Sequence, residues 1–155
     1  MDITFRTALK HEAVKLINIY RNEGIDVNKD NLIRNIKSNF QDIGKNRIIW
    51  FSEVDDKIVG PVQLVLDGSD KNMANGRDIA MIHHLRVAKE FENKGIASKL
   101  SRVLEATAKE KNIKRLTLEV EKGNKKAKEI YKHWGYKFLR KGKDFKEIVL
   151  YKIIS

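Results

Sequence analysis

Residues 79–100 restrict the possible folds more than any other stretch of this chain. Ile79 to Val87 is an apolar run of strand length. It enters a short turn that is first charged and then carries Gly95, and a helical pattern follows at once. Ile96, Leu100, Val103, Leu104 and Thr107 recur at the three- and four-residue spacing of one buried helix face, predicting a helix to about Lys111. A strand, a glycine turn and a helix N-terminus in that order make a place for an anion. The first N–H groups of a helix have no internal partner, and the helix dipole favours negative charge there. Gly95 and Ala97 are small enough for a phosphate to approach the backbone. The segment is therefore expected to hold a phosphate-bearing ligand.

Two common nucleotide fingerprints do not fit this turn. Dinucleotide loops need G-x-G-x-x-G, and triphosphate loops need G-x-x-x-x-G-K-[ST]. The pattern here is Glu92-x-x-Gly95-x-Ala97. A second block follows it: a strand at Leu116–Val120, then a helix over Asn124–Trp134. Asn124 suits its N-cap, and Gly135 the position just past its end.

The rest of the chain can be read around these blocks. Ile3 to Thr7 alternates as a strand. Leu9, Ala13, Leu16, Ile17 and Tyr20 form a helical stripe ending near Gly24, and Leu32, Ile33, Ile36 and Phe40 form a second. Arg47–Val54 and Lys57–Leu66 read as a hairpin about the Asp55-Asp56 turn, with Pro61 marking a local break in pairing. Asp67 to Arg77 is a polar loop, and Tyr136–Leu139 with Phe145–Ile153 make a final hairpin.

Length and composition narrow the function. The chain of 155 residues, 41% hydrophobic and 34% charged, suits one globular domain over 1–155. No apolar run could cross a bilayer, and Met1 to Arg6 lacks the features of a signal peptide, so a cytoplasmic protein with no membrane partner is expected. The absence of cysteine excludes disulfides, thiolate metal sites and a cysteine nucleophile. An acyl-cysteine intermediate is impossible, and any acyl transfer is expected to pass directly from donor to acceptor. His11 and His133 have no partners at ligand spacing, and no metal is expected. The net charge of +11 comes from lysines interleaved with acids, which reads as a solvated surface; nucleic acid is not expected as a partner. The same charge argues mildly against a polycationic acceptor.

The two blocks together carry a family resemblance. Glu92-x-x-Gly95-x-Ala97 resembles motif A of the GCN5-related N-acetyltransferases, [Q/R]-x-x-G-x-[G/A], with Glu92 in place of the usual Gln or Arg. Asn124, Ala127, Tyr131, Gly135 and Tyr136 fall in register with its motif B, N-x-x-A-x-x-x-Y-x-x-x-G-[FY]. The resemblance implies an α/β fold of order β-α-α-β-β-β-α-β-α-β-β: a mixed, twisted sheet, helices on both faces, and a splayed central parallel strand pair. It implies acetyl-CoA as co-substrate, a primary amine as acceptor, and a monomer or homodimer. The pyrophosphate would rest on Glu92, Asn93, Lys94, Gly95, Ile96, Ala97 and Ser98, with the Glu92 side chain turned to solvent or to Lys94. The main chain of Leu85, Arg86 and Val87 would face the pantetheine arm, and Asn124 and Ala127 would flank it. Tyr131 would protonate the departing thiolate.

Thioester aminolysis also needs a base. The family's frequent Glu falls on Met81, which cannot accept a proton. His83 matches a histidine of the serotonin N-acetyltransferase branch and titrates near neutrality. Strand alternation through Val87 would place Met81, His83, Leu85 and Val87 on one face and His84 and Arg86 on the other. His84, Glu119 and Glu53 are the weaker choices. Two other classes compete: a basic nucleic-acid- or ribosome-binding module, and a catalytically weak acyl-CoA-binding protein on the same fold.

Overall fold

The structure is a computed structural model and describes residues 1–154. Seven strands make a mixed sheet accompanied by four α-helices, in the expected order along the chain. The chain forms two compact units, and each is assembled from two separate stretches of sequence.

The first unit comprises Met1–Leu64 and His84–Leu104. It holds β1 (Ile3–Thr7), α1 (Ala13–Asn22), α2 (Leu32–Gln41), β2 (Arg47–Val54), most of β3 (Lys57–Val65) and the first part of α3 (Ile96–Glu110). β1 runs antiparallel to β2, from Ile3 opposite Val54 to Thr7 opposite Trp50. Asp55 and Asp56 turn the chain into β3 with φ of 49° and 68°, a left-handed pair that short polar side chains tolerate. Alternation along β2 then sorts the core. Ile49 and Phe51 pack with Leu16, Ile17, Tyr20, Ile36 and Phe40 of α1 and α2, while Val54 packs with Val59 and with Ile96 of α3. Helices thus cover both faces of β2. A short 3-10 turn, Lys10–Glu12, precedes α1, so the stripe that begins at Leu9 is not one continuous helix. Glu12 closes this turn: its buried carboxylate accepts the N–H of Leu9, the N-cap, at 2.9 Å and binds Arg6 at 2.8 Å.

The second unit comprises Val65–His83 and Glu105 onward. β4 (Ile79–His83), β5 (Arg115–Glu121), β7 (Glu147–Ile153) and β6 (Lys137–Lys141) lie side by side in that order, with α4 (Lys125–His133) between β5 and β6 in sequence. β5 and β7 are antiparallel along the full length of both. β4 and β5 are parallel, from Ile79 opposite Arg115 to Met81 opposite Thr117. The polar loop after β3 is tied down: Thr117 donates to the Met73 carbonyl at 2.6 Å, Arg140 binds Asp70 at 2.6 Å, and Asn75 Oδ1 accepts the N–H groups of Arg77, Asp78 and Ile79.

One expected element is shorter than its apolar run. The strand ends at His83 rather than Val87, because His84 takes a φ of 55°. Residues 85–88 then run along β3 in a new phase, with Arg86 N–H donating to the Pro61 carbonyl at 3.0 Å and Ala88 N–H to that of Val59 at 2.7 Å. Alternation therefore does not carry from Met81 and His83 through to Leu85 and Val87, and the expected common face of these four residues is corrected. Pro61 sits inside β3, at this new pairing.

Candidate active site

The bonds to β3 order the segment before α3. Successive residues of an extended chain direct their N–H and C=O groups to alternate edges. With Arg86 and Ala88 bound to β3, Leu85 and Val87 direct theirs to the opposite edge. The Val87 side chain packs beside Val54, Val59 and Ile96. Arg86 is exposed, and its guanidinium lies 5.5 Å from the ring centre of Tyr20, whose phenol is shifted up by burial. Glu23 of the first unit accepts the Lys89 N–H at 2.9 Å, which anchors the 3-10 turn Lys89–Phe91.

The glycine turn follows. Asn93 and Gly95 are both left-handed, with φ of 60° and 79°. A Cβ on Gly95 would meet no protein atom within 4 Å, so the space over this residue is open. Ile96 begins α3 fully buried and anchors the helix, so only its backbone faces the turn. The first N–H groups of that helix, at Ile96, Ala97 and Ser98, have no acceptor within it. Ala97 and Ser98 are half-buried, and Glu92, Asn93 and Lys94 are exposed. A carboxylate at Glu92 thus stands in solvent. The turn has the room, the donors and the dipole to take a phosphate.

The second unit supplies the other candidates. The β4–β5 register stops at Met81 and Thr117, although β5 continues to Glu121. Asn124 caps α4, with Oδ1 accepting the Ala127 N–H at 3.1 Å, and Gly135 ends it with a φ of 96°. Two turns along α4, half-buried Tyr131 meets Trp134 edge-on at 5.6 Å and Tyr136 at 5.7 Å. Burial among these rings raises its phenol above the ordinary value, so it keeps its proton at neutral pH.

The candidate bases separate by environment. His83 is half-buried at the end of β4, two residues beyond Met81. The exposed His84 is held toward its neutral form, first by desolvation and then by the Arg47 charge. Glu53 is taken up by Arg6 at 2.8 Å, and that ion pair explains its presence on β2. Glu119 lies diagonally across the β5–β7 ladder from Glu147, on the same face of the sheet, and its carboxyl is hydrogen-bonded to that of Glu147. Glu147 is pushed up to about 7, first by this bond and then by desolvation. Glu147 has no signal in the sequence, because the β5–β7 register brings the two together from 28 positions apart. Among the described residues, no group of His, Asp and Glu is arranged to hold a metal ion.

Comparison with known proteins defines the class. The model of the acetyltransferase (GNAT) family matches residues 14–136. Among solved structures, PaiA N-acetyltransferase from Thermoplasma acidophilum, in complex with coenzyme A, superposes with a TM-score of 0.78 at 17% identity, covering 99% of each chain. A probable acetyltransferase from Staphylococcus epidermidis gives 0.79 at 16% identity over 99% of this chain and 100% of that one. PH1933 from Pyrococcus horikoshii gives 0.77 at 24% identity over 99% of each. No curated sequence matches the chain. The chain belongs to the GNAT family, and it is an acetyltransferase with the fold of that family.

Proposed function

We propose that the chain, acting as one domain, transfers an acetyl group from acetyl-CoA directly to a primary amine of a small molecule or protein, in a ternary complex with no acyl-enzyme. The observation that carries this reading is the turn before α3: left-handed Gly95, open space above it, and the first N–H groups of a helix behind it. The coenzyme A bound to the Thermoplasma relative supports the choice of ligand. Bound acetyl-CoA supplies an activated acetyl carbon and a thiolate leaving group.

The chain's own groups have the following roles in this reading. The backbone from Glu92 to Ser98 holds the pyrophosphate. Leu85 and Val87 present main-chain groups to the pantetheine arm, and the Val87 N–H polarises the thioester carbonyl; Arg86, whose own N–H and carbonyl are turned to β3, only joins them. Asn124 and Ala127 flank the arm at the head of α4. The amine nitrogen attacks the carbonyl carbon and gives its proton to His83 through a water; the carbon–sulfur bond breaks, and Tyr131 donates its proton to the sulfur. The raised phenol of Tyr131 suits a donor that must stay protonated until then.

Calorimetric titration with acetyl-CoA, followed by a panel of amines with free-thiol detection, tests the proposal. Binding is expected, with turnover on at least one primary amine. Gly95→Val, checked for folding by circular dichroism, places a side chain where the phosphate sits and lowers the affinity about 10-fold or more. Unchanged affinity in the folded variant would overturn the placement, and binding without turnover on any amine would leave an acyl-CoA-binding protein.

A further inference from the structure

The Gly60-Pro61 step of β3 lies against the segment proposed to activate the thioester. The carbonyl of Pro61 accepts the Arg86 N–H at 3.0 Å. In an antiparallel pair the reciprocal bond would run from the N–H of residue 61 back to the Arg86 carbonyl. Proline has no N–H, so that bond cannot form. The Arg86 carbonyl instead leans over Gly60. A Cβ on Gly60 would overlap the Arg86 oxygen outright, and would lie 2.9 Å from its carbonyl carbon and 3.1 Å from Val87 Cα. All of these atoms are backbone, so no side-chain rotation relieves the overlap. On its far side Gly60 is held as well: buried Ser52 of β2 donates to the Gly60 carbonyl at 3.2 Å.

The consequence follows from peptide geometry. The C=O of one residue and the N–H of the next lie in one plane and point in opposite directions. A carbonyl of Arg86 turned over Gly60 therefore aims the Val87 N–H away from β3. We infer that Gly60 is a positioning residue for acetyl transfer: lacking a side chain, it lets the Arg86 carbonyl lie against β3, and so holds the Arg86–Val87 peptide with its N–H turned outward to meet the thioester carbonyl. The inference rests on the proposed function, in which Val87 N–H is the polarising donor. Gly60 does not touch the substrate.

The test uses acetyl-CoA isotopically labelled at the thioester carbonyl carbon and follows that carbonyl's infrared band on binding. A donor aimed at the oxygen weakens the C=O bond, so the wild-type band is expected to move to lower frequency. In Gly60→Ala the added methyl turns the peptide and the shift is lost. Affinity falls by no more than about 10-fold, because the phosphate turn is separate. Pro61→Ala restores an N–H opposite the Arg86 carbonyl and draws it back toward β3. It creates no overlap, is expected to fold, and keeps the shift, because a carbonyl drawn toward β3 still aims the Val87 N–H away from it. Gly68→Ala, whose new Cβ would have no neighbour closer than 3.8 Å, keeps the wild-type shift. A shift that survives in folded Gly60→Ala, or that disappears in Pro61→Ala or in Gly68→Ala, overturns the inference alone. A wild-type protein that does not bind acetyl-CoA overturns the proposed function and the inference together.

Discussion

At the scale of single residues, the candidate site separates into groups that act through side chains and groups that act through backbone. Tyr131 is of the first kind. Its motif spacing was visible in the sequence, whereas its raised phenol depends on Trp134 and Tyr136 folding against it. Tyr131→Phe is expected to cut turnover by roughly 10²–10⁴-fold while changing acetyl-CoA affinity little. Steady-state rates and calorimetry on the same preparation check this, and full turnover with chemistry rate-limiting would make the tyrosine structural. His83 is also of the first kind. Its protonated form cannot accept the amine proton, so the rate is expected to rise with pH through one histidine-like ionisation. His83→Ala should lose that limb and recover rate at high pH, where the amine deprotonates unaided. Retention of the limb in His83→Ala, with loss in His84→Ala, would move the role one residue along. Leu85 and Val87 are of the second kind, and their direction is set by bonds from their neighbours to β3.

At the scale of elements, β5 and β7 carry an electrostatic strain that neither strand shows alone. Their register sets Glu121 directly opposite Glu147 and Glu119 one step away on the same face. Like charges so placed across a ladder are unfavourable. The fold meets this by keeping a proton on Glu147, pushed up to about 7 from an ordinary 4.5. Because the folded value lies above the unfolded one, the folded state binds more protons between them. Stability is then fully present below about 4.5 and is lost as pH rises through about 7. Glu147→Gln keeps a hydrogen bond and removes the titration. Its unfolding midpoint in urea is expected to exceed the wild-type value at pH 8 and to vary less between pH 5 and pH 8. Parallel pH dependence of the two proteins would show that the pair carries no strain. The same alternation logic that identified β5 as a strand could not reveal this pair, because register is a property of two strands.

At the scale of the whole molecule, charge is the property that reaches furthest. The chain carries +11, and its proposed co-substrate is a polyanion. Summed positive charge steers such a ligand and raises its association rate, and salt screens it over about 8 Å at physiological ionic strength. Acetyl-CoA affinity is expected to fall as salt rises from about 0.05 M to about 0.5 M, with most of the loss in the association rate. Stopped-flow binding across that range measures it; rates independent of salt would show that the net charge serves only solubility. Among the described residues, no helix is long and apolar enough to cross a membrane.

The sequence by itself determined the order of elements, the caps of α4 and the glycine turn before α3. Each of these depends on local chemistry: the spacing of apolar residues, a side-chain oxygen beside free N–H groups, a backbone that turns left-handed. The tertiary structure decided where β4 stops. Ile79 to Val87 reads as one strand-length run, and its alternation does not announce that His84 changes the phase, since residues beyond it pair with the carbonyls of Val59 and Pro61. It also decided the environments of the acids, assigning Glu53 to Arg6 and Glu119 to Glu147. Gly60 and Pro61 stand between the two cases. The break in pairing was legible from proline's missing donor, but the use of Gly60 depends on which backbone lies across it, and only the folded chain supplies that neighbour.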